Sequence, residues 1–356
     1  MRVSILGAGS AACGAAAYLS TAGHDPMLWS PSGRSTEALA AGEPLRATMA
    51  IETSFHPRIA GGAAEAIADA DVMMLAMPGY AHKMALDEAA QHLRDGQPII
   101  ISSHASFGAL YLSRLLAARG VRSPIVTWGT TLTTGRKTSP TEVAVNSVRS
   151  KIDLATVPQG GSAEGLALCT ALFGDRFVER EGLLAIALSN LNPQNHLAIA
   201  LYNLTRMERG ERWGQAENVT PAVGRVMEAL DAERLAIAEA FGVSVRTIHE
   251  HYAYSYQLPV ASIAEMNAEL HNRGRGGFGP ATLDSRYVLE DVPFGLLPTV
   301  LLGQLVGRPA TLHEAGMTML SAAYGRDFAG DNDLLPALGF AQMTREELQA
   351  RARGGY

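Results

Sequence analysis

Cysteine is scarce in this chain of 356 residues, which contains only Cys13 and Cys169. The two positions lie far apart and lack the spacing of a zinc knuckle or a redox pair, so we predict no metal site and a protein of the reducing cytoplasm. Basic clusters are missing too, because no run of Lys or Arg exceeds two residues and the net charge is −6. These absences argue against nucleic acid or an anionic membrane surface as a partner and favour small molecules.

Long apolar runs are also absent, since the sequence has no stretch of about 20 uninterrupted apolar residues that could span a bilayer. Residues 1–20 carry Arg2 and small apolar residues in the manner of a signal peptide, but Gly7, Gly9 and Gly14 interrupt the run. We therefore expect no secretory leader and no membrane partner. The chain is 47% hydrophobic and only 18% charged, which predicts a globular protein with a large core in two domains.

The N-terminal sequence has the order strand, tight turn and helix: residues 2–6 are apolar, residues 11–22 are rich in alanine, and Gly-Ala-Gly-Ser-Ala-Ala joins them. Gly7 suits the turn, Gly9 lets a pyrophosphate approach the backbone, and Ala12 lets the helix pack close to the strand. A helix that merely starts with small residues is the alternative, but the strands on both sides favour a Rossmann nucleotide site. We predict cofactor contacts at Gly7, Gly9, Ser10, Ala11 and Ala12.

The end of the second predicted strand, residues 26–29, distinguishes between the two nicotinamide cofactors. An acidic side chain there would accept a hydrogen bond from the ribose 2′-OH of NAD. This sequence has Ser30, Ser32 and Arg34 instead, and hydroxyls with a guanidinium suit a 2′-phosphate. We therefore predict NADP(H), with NAD(H) as the alternative. The other explanation of Arg34 is that it simply begins a solvated helix.

Further buried strands are predicted over residues 71–77, 98–102 and 125–134, and residues 155–158 are predicted to close the sheet. In an open parallel sheet the ligand binds beyond the carboxyl ends of the strands. From this rule we predict that Pro78 and Ser103 contact the cofactor and that Thr131 contacts the substrate. His82 and His104 lie in the same region, where each either touches the substrate or only holds the backbone.

The predicted domain boundary is the stretch Gly160-Gly161-Ser162, after which apolar residues recur at helical spacing. The sequence therefore predicts an α/β Rossmann domain over residues 1–160, followed by an all-α domain over residues 161–356. Four helical segments stand out in the second domain: residues 183–204, 221–241, 293–306 and 312–324. We expect the apolar helices from Leu296 onward to bury a homodimer contact.

One segment of the helical half, residues 189–196, is unusually polar for an apolar helical run. Pro193 disturbs the helix, and Asn192 and His196 are four residues apart and so lie on one face. Buried polar groups at that density are costly unless they are hydrogen-bonded, which indicates a site. We predict that Asn192 binds the substrate and that His196 is catalytic; the alternative is a core histidine with a backbone partner.

A second polar segment covers residues 284–296 and follows a glycine-rich loop. Asp291 lies just before Pro293, where a helix can begin, and its carboxylate could orient an imidazole. An Asp–His pair is the usual arrangement for a histidine that exchanges a proton near neutral pH. Arg286 suits a substrate carboxylate. The alternative is that Asp291 is an N-cap and Arg286 forms a surface salt bridge.

The whole pattern resembles the octopine/nopaline dehydrogenase family, including bacterial opine dehydrogenases of the N-(1-carboxyethyl)-norvaline type, over nearly the full chain. The segments that carry the resemblance are Gly7-Ala8-Gly9 and residues 192–196, 220–224, 231–238, 286–292, 295–298 and 327–328. The resemblance implies an enzyme that condenses an amino acid or amine with a 2-oxo acid and reduces the imine to a secondary amine. It also implies that His196 is the acid/base, Asp291 its carboxylate partner and Arg286 a residue that fixes substrate.

Two departures from the family pattern bear on specificity. Relatives often have a small residue and then His-Pro after the asparagine, whereas this chain has Gln194-Asn195-His196-Leu197, which leaves the amine substrate open. Ser30 stands where family members that use NAD carry an acid, which supports NADPH.

Three alternative functions are consistent with the same domain plan. A 2-oxo acid reductase of the ketopantoate reductase class would use a catalytic lysine from the helical half. Lys151 is the last lysine of this chain, which argues strongly against that class. An imine reductase would need no carboxylate on one of its two substrates. A non-catalytic NADPH-binding sensor would bind the cofactor without turnover.

Overall fold

The computed structural model describes residues 1–356, which form two compact units. Unit 1 comprises Met1–Ala187 together with Glu346–Tyr356, and unit 2 is the single segment Leu188–Arg345. Our sequence-based boundary at residue 160 lies earlier than this division. The reason is that the chain beyond residue 160 still adds a helix and a strand to the sheet of unit 1.

Unit 1 is built on two β-sheets. Its strands are β1 (Arg2–Leu6), β2 (Asp25–Trp29), β3 (Leu45–Met49), β4 (Thr53–Phe55), β5 (Arg58–Ile59), β6 (Val72–Leu75), β7 (Ile99–Ile101), β8 (Ile125–Trp128), β9 (Thr133–Ser139), β10 (Glu142–Val148), β11 (Ile152–Val157) and β12 (Phe177–Glu179). The large sheet has the order β12-β11-β8-β7-β6-β1-β2-β5 and is parallel except between β8 and β11. Its central strands are buried and mostly apolar, apart from the exposed Arg2 at the start of β1, as expected for a parallel sheet covered on both faces.

The helices of unit 1 connect the strands of the large sheet. They are α1 (Ser10–Thr21), α2 (Glu37–Ala40), α3 (Ala63–Ala68), α4 (His82–His92), α5 (Gly108–Ala118) and α6 (Ser162–Phe173). Alternation of parallel strands and helices confirms the Rossmann fold predicted from the sequence. The chain enters unit 2 within α7 (Gly182–Ser189) and returns to unit 1 at the start of the C-terminal helix, Arg345–Gly354.

Two predictions about the strands need correction. Residues 125–134 form two strands rather than one, because the chain bends at Gly129 and Thr130 and then starts β9 in the small sheet, of order β4-β3-β10-β9. Residues 155–158 do not close the large sheet, since β12 pairs in parallel with the outer side of β11.

The C-terminal segment is an integral part of unit 1. Leu348 and Ala352 are buried there, and the Arg353 guanidinium donates to Glu181. The backbone N–H of Tyr356 donates to Ser113 Oγ on α5, at 2.9 Å.

Unit 2 is helical and has no strand, which confirms the all-α fold predicted for the second half of the chain. Its helices are α8 (Asn192–Tyr202), α9 (Leu204–Glu208), α10 (Pro221–Ala240), α11 (Ile248–Tyr256), α12 (Ile263–Asn272), α13 (Arg286–Leu289), α14 (Leu297–Leu305), α15 (Thr311–Tyr324) and α16 (Leu334–Leu338). A π-helical turn, Val292–Leu296, joins α13 to α14. The run Arg286–Leu305 has the length and composition of a membrane span, but half of it is buried inside the protein, as in a core helix.

The helix predicted over residues 183–204 is interrupted before Asn192. There Asn190 Oδ1 accepts the N–H of Asn192 at 3.1 Å, and α8 begins with Pro193 in its first turn. Proline fits the first turn because it lacks an N–H that would otherwise need a partner. Pro193 therefore starts a helix rather than disturbing one.

Candidate active site

The predicted cofactor residues of unit 1 follow the carboxyl ends of four neighbouring parallel strands. Gly7, Ser30, Pro78 and Ser103 come after β1, β2, β6 and β7, which are adjacent in the sheet. This edge is where open parallel sheets bind nucleotides. The topology thus brings together positions that are widely separated in the sequence.

The turn between β1 and α1 fits a dinucleotide. Gly7 has φ +135°, and a Cβ there would lie 2.3 Å from the carbonyl oxygen of Ala76, so only glycine can occupy the position. A Cβ on Gly9 would meet no atom within 4 Å, so the backbone faces open space that a pyrophosphate can approach. No side chain caps the start of α1 and its first turn carries no acid, which leaves the N–H groups of that turn to a ligand.

The loop after β2 carries the residues that we predict to select the cofactor. Ser32 and Arg34 are exposed and Ser30 is partly exposed. Gly33 has φ +69°, and its N–H donates to the carbonyl of Ser30, which closes a tight turn before Arg34. None of the residues from 30 to 36 is acidic. The loop therefore presents the hydroxyl groups of Ser30 and Ser32 and the guanidinium of Arg34 to a ligand at this edge.

The two histidines at this edge differ in their surroundings. His82 Nε2 lies 2.9 Å from the carbonyl oxygen of Met77, which is the backbone-holding role that we considered for it. His104 is 4% exposed, packs edge-on against Phe107, and has no hydrogen-bond partner for either ring nitrogen. Burial lowers the pKa of His104 to about 3, so this imidazole is neutral at physiological pH.

The main chemical feature of unit 2 is a histidine–carboxylate pair. His196 on α8 and Asp291, at the start of the π-helical turn, have Nδ1 and Oδ2 2.6 Å apart. The two side chains are 18% and 20% exposed. With Nδ1 bonded to the carboxylate, the other ring nitrogen, Nε2, is left to act on a ligand. The structure thus pairs the two side chains that we singled out from separate segments of the sequence.

Tyr287 completes this site, and our sequence analysis did not assign it a role. Its ring stacks on the His196 ring, with centroids 3.5 Å apart and an interplanar angle of 11°. Its hydroxyl donates to Gln215 Oε1 at 2.5 Å. Burial, together with the charge of Asp291, raises the pKa of Tyr287 to about 12, so the phenol stays protonated. The spacing of four between Tyr287 and Asp291 on one helical stretch was the available sequence signal.

Close packing holds the π-helical turn against α8. A Cβ on Gly295 would lie 2.2 Å from Pro193 Cγ, so this approach requires glycine. Asn332 Nδ2 donates to the carbonyl of Pro293 at 2.7 Å and fixes the same turn. The glycine and the two prolines thereby set the distance between His196 and Asp291.

A buried ion pair anchors the other side of α8. Asp231 Oδ1 accepts from the Arg234 guanidinium and from Gln194 Nε2, at 2.7 and 3.0 Å. Asp231 Oδ2 accepts the N–H of Ile248 at 2.8 Å. Gln194 lies two residues before His196, so this network holds the turn of α8 that carries the imidazole.

The remaining predicted substrate residues are not hydrogen-bonded to the pair. Arg286 is on α13 with 70% of its side chain exposed, and its Nε donates to Glu290. Asn192 is exposed at the start of α8. Thr131 belongs to unit 1, where its hydroxyl donates to the carbonyl of Thr133 at 2.9 Å.

Comparisons with known proteins agree with this architecture. Residues 179–324 match the family described as NAD/NADP octopine/nopaline dehydrogenase, alpha-helical domain, and residues 3–158 match ketopantoate reductase PanE/ApbA. An opine dehydrogenase from Arthrobacter sp. (strain 1C) is 32% identical over 346 residues, which cover 96% of this chain and 95% of that protein.

Solved structures of similar fold include two enzymes of the same type. Octopine dehydrogenase with NADH and L-arginine has a TM-score of 0.80 at 17% identity, covering 99% of this chain and 98% of that one. Yersinopine dehydrogenase with NADP⁺ has a TM-score of 0.73 at 19% identity, covering 96% and 99%. The 32% identity to the Arthrobacter enzyme over 96% of the chain confirms the family expected from the sequence: this chain belongs to the opine dehydrogenases and is an NAD(P)H-dependent oxidoreductase.

Proposed function

We propose that this enzyme uses NADPH to reduce the imine formed between a 2-oxo acid and an amino acid or amine, which gives a secondary amine. The observation that carries the proposal is the His196–Asp291 pair at 2.6 Å, stacked on Tyr287, in a chain whose Rossmann unit has an open glycine turn. Related enzymes support the substrate classes, since octopine dehydrogenase has been solved with L-arginine, with agmatine and with pyruvate.

Separate groups of residues are proposed to bind the cofactor and to transfer the proton. The cofactor, when bound, supplies the hydride, and the residues proposed to hold it are Gly7, Gly9, Ser10, Ala11, Ala12, Ser30, Ser32, Arg34, Pro78 and Ser103. Asp291 accepts a hydrogen bond from the Nδ1–H group of His196 and so fixes the tautomer. His196 Nε2 then exchanges a proton with the carbinolamine and imine centre.

Substrate positioning is proposed for three polar residues. Arg286, whose side chain is 70% exposed and whose Nε donates to Glu290, would bind a substrate carboxylate. Asn192 and Thr131 supply further hydrogen bonds to the substrates. Tyr287 shields one face of the imidazole from water and restricts its rotation.

The preference for NADPH over NADH is the finer part of the proposal. It is supported by the loop after β2, which has hydroxyls and Arg34 but no acid to accept the ribose 2′-OH. The measurement is the ratio of kcat/KM for the two cofactors at saturating substrates. A higher kcat/KM with NADH would overturn this preference.

The activity is tested by following oxidation of NADPH with pyruvate and a panel of amino acids and simple amines. Turnover is expected only when both substrates are present, and mass spectrometry should find the secondary amine. Turnover with pyruvate alone would instead identify a 2-oxo acid reductase. Productive amines that lack a carboxylate would favour an imine reductase.

We also propose that the enzyme is a cytoplasmic homodimer that uses the outer face of α15. Leu312 and Met319 lie seven residues apart on that helix and are 44% and 57% exposed. Light scattering should give twice the monomer mass, and Leu312→Glu with Met319→Glu should reduce it to the monomer mass. A wild-type protein that is monomeric at micromolar concentration would refute the dimer.

A further inference from the structure

Lys137 lies on β9, in the small sheet of unit 1, and its ammonium group links two parts of the nucleotide-binding edge. Its Nζ donates to the carbonyl of Ala8, in the glycine turn, at 3.2 Å. It also donates to the carbonyl of Ser35, in the loop after β2, at 3.3 Å. The backbone N–H of Lys137 donates to Ser10 Oγ at 3.0 Å, which places the strand at the first residue of α1.

Two glycines allow β9 to hold this position. A Cβ on Gly14 would lie 2.3 Å from Thr133 Oγ1, so β9 can press against α1 only because Gly14 has no side chain. Gly135 has φ +156°, and a Cβ there would lie 2.1 Å from the carbonyl oxygen of Ala144 on β10. The pairing of β9 with β10 shifts register nearby, and such a bulge re-aims the residues that follow it.

The charge of Lys137 is not compensated within the protein. Both partners of its ammonium are neutral carbonyl groups, and no carboxylate lies within ion-pair distance. The start of α1 is itself a region of partial positive charge, where an anion is favoured and a cation is not. The first turn of α1 contains no acid. A cation held at this position therefore indicates an anionic ligand.

We propose that Lys137, together with Arg34, binds the 2′-phosphate of the NADPH adenosine. The inference rests on the proposed preference for NADPH. The contact with Ser35 places the ammonium at the loop after β2, where Rossmann proteins bind the ribose, whereas the pyrophosphate binds at the N–H groups beyond Gly9. Lys137 thus supplies a second positive charge to the proposed 2′-phosphate site, in addition to the exposed guanidinium of Arg34.

The test measures binding without turnover, using Lys137→Met and the matched control Arg136→Met, which removes the neighbouring exposed cation of the same strand. Dissociation constants are determined by calorimetry for NADPH and NADH, and for the fragments 2′,5′-ADP and 5′-AMP, which differ by the 2′-phosphate. Lys137→Met should raise the dissociation constants of NADPH and 2′,5′-ADP by about 10- to 100-fold, the range expected for the loss of one charged hydrogen bond. The dissociation constants of NADH and 5′-AMP should change by less than about threefold. The Arg136 variant should bind all four ligands like the wild type.

The possible failures are distinguishable. Equal weakening of NADPH and NADH would assign Lys137 to the pyrophosphate, and unchanged binding of every ligand would leave it a structural link; either result overturns the proposal. A wild type that prefers NADH would overturn the cofactor assignment, while the two adenosine fragments would still decide the role of Lys137. Lys137→Arg should restore most of the affinity for 2′,5′-ADP, and Lys137→Gln repeats the test if the Met variant does not fold.

Discussion

Replacing Asp291 with asparagine is expected to slow turnover by about a hundredfold or more while leaving NADPH affinity unchanged. The substitution keeps the size of the side chain but removes the charge that faces His196 Nδ1 at 2.6 Å. Asp291 lies in unit 2, whereas all the residues proposed to hold the cofactor lie in unit 1. The effect should therefore fall on the chemical step.

The magnitude follows from the hydrogen bond itself. A hydrogen bond to a charged group contributes about 1.5–3 kcal/mol, so its weakening by a neutral amide oxygen accounts for about the first 10- to 100-fold of the loss in rate. An amide that presents its NH₂ group instead would leave the Nδ1 proton without an acceptor and favour the wrong tautomer. General acid–base catalysis as a whole contributes about 10²- to 10⁴-fold, which bounds the loss from above.

The assay is steady-state oxidation of NADPH with both substrates, combined with an equilibrium titration of NADPH. Asp284→Asn is the matched control, since this carboxylate belongs to the same segment but is exposed and is not bonded to His196. The control should keep the activity of the wild type. An Asp291→Asn enzyme with nearly full kcat and weakened NADPH binding would refute the reasoning.

Three further predictions concern the packing around His196. Tyr287→Leu should lower kcat by about 10- to 100-fold because the imidazole loses its stacking partner, whereas Tyr287→Phe keeps the ring and should stay close to wild type; equal losses in both variants would contradict this. Gly295→Ala should lower the free energy of unfolding by about 1–3 kcal/mol in urea titrations, because its Cβ overlaps Pro193, and an unchanged midpoint would argue against the tight contact. Asp231→Asn should cost about 3–5 kcal/mol in the same experiment, since the buried charge of Arg234 loses its partner; a loss below 1 kcal/mol would disagree.

The nucleotide half was largely predictable because its signals are local. Gly7 and Gly9 lie between a strand and a helix; Gly7 has a backbone conformation that requires glycine, and Gly9 faces open space that a pyrophosphate can approach. The position of β9 was not predictable, since it depends on contact with α1 through Gly14, which is remote in sequence. For that reason the sequence alone assigned no role to Lys137.

The catalytic half was predictable in its parts but not in its assembly. Polar residues in an apolar run pointed to His196, and the segment before Pro293 pointed to Asp291. The stacking of Tyr287 on His196 and its bond to Gln215 join segments that are far apart in the sequence, and no periodicity of the sequence encodes the π-helical turn at Val292–Leu296. The sequence places the domain boundary before α6 and β12, because β12 is only three residues long and gives little strand signal.

The return of the C-terminal segment to unit 1 makes unit 2 an insertion with both of its ends attached to the Rossmann fold. We therefore expect that residues 188–345 can be exchanged between relatives as one segment, which would transfer the His196 region without cutting the nucleotide-binding fold. The same arrangement means that deleting Glu346–Tyr356 would damage the first half of the protein, far away in sequence. An affinity tag should accordingly be joined after Tyr356 through a linker, so that the segment Glu346–Tyr356 keeps its contacts in unit 1.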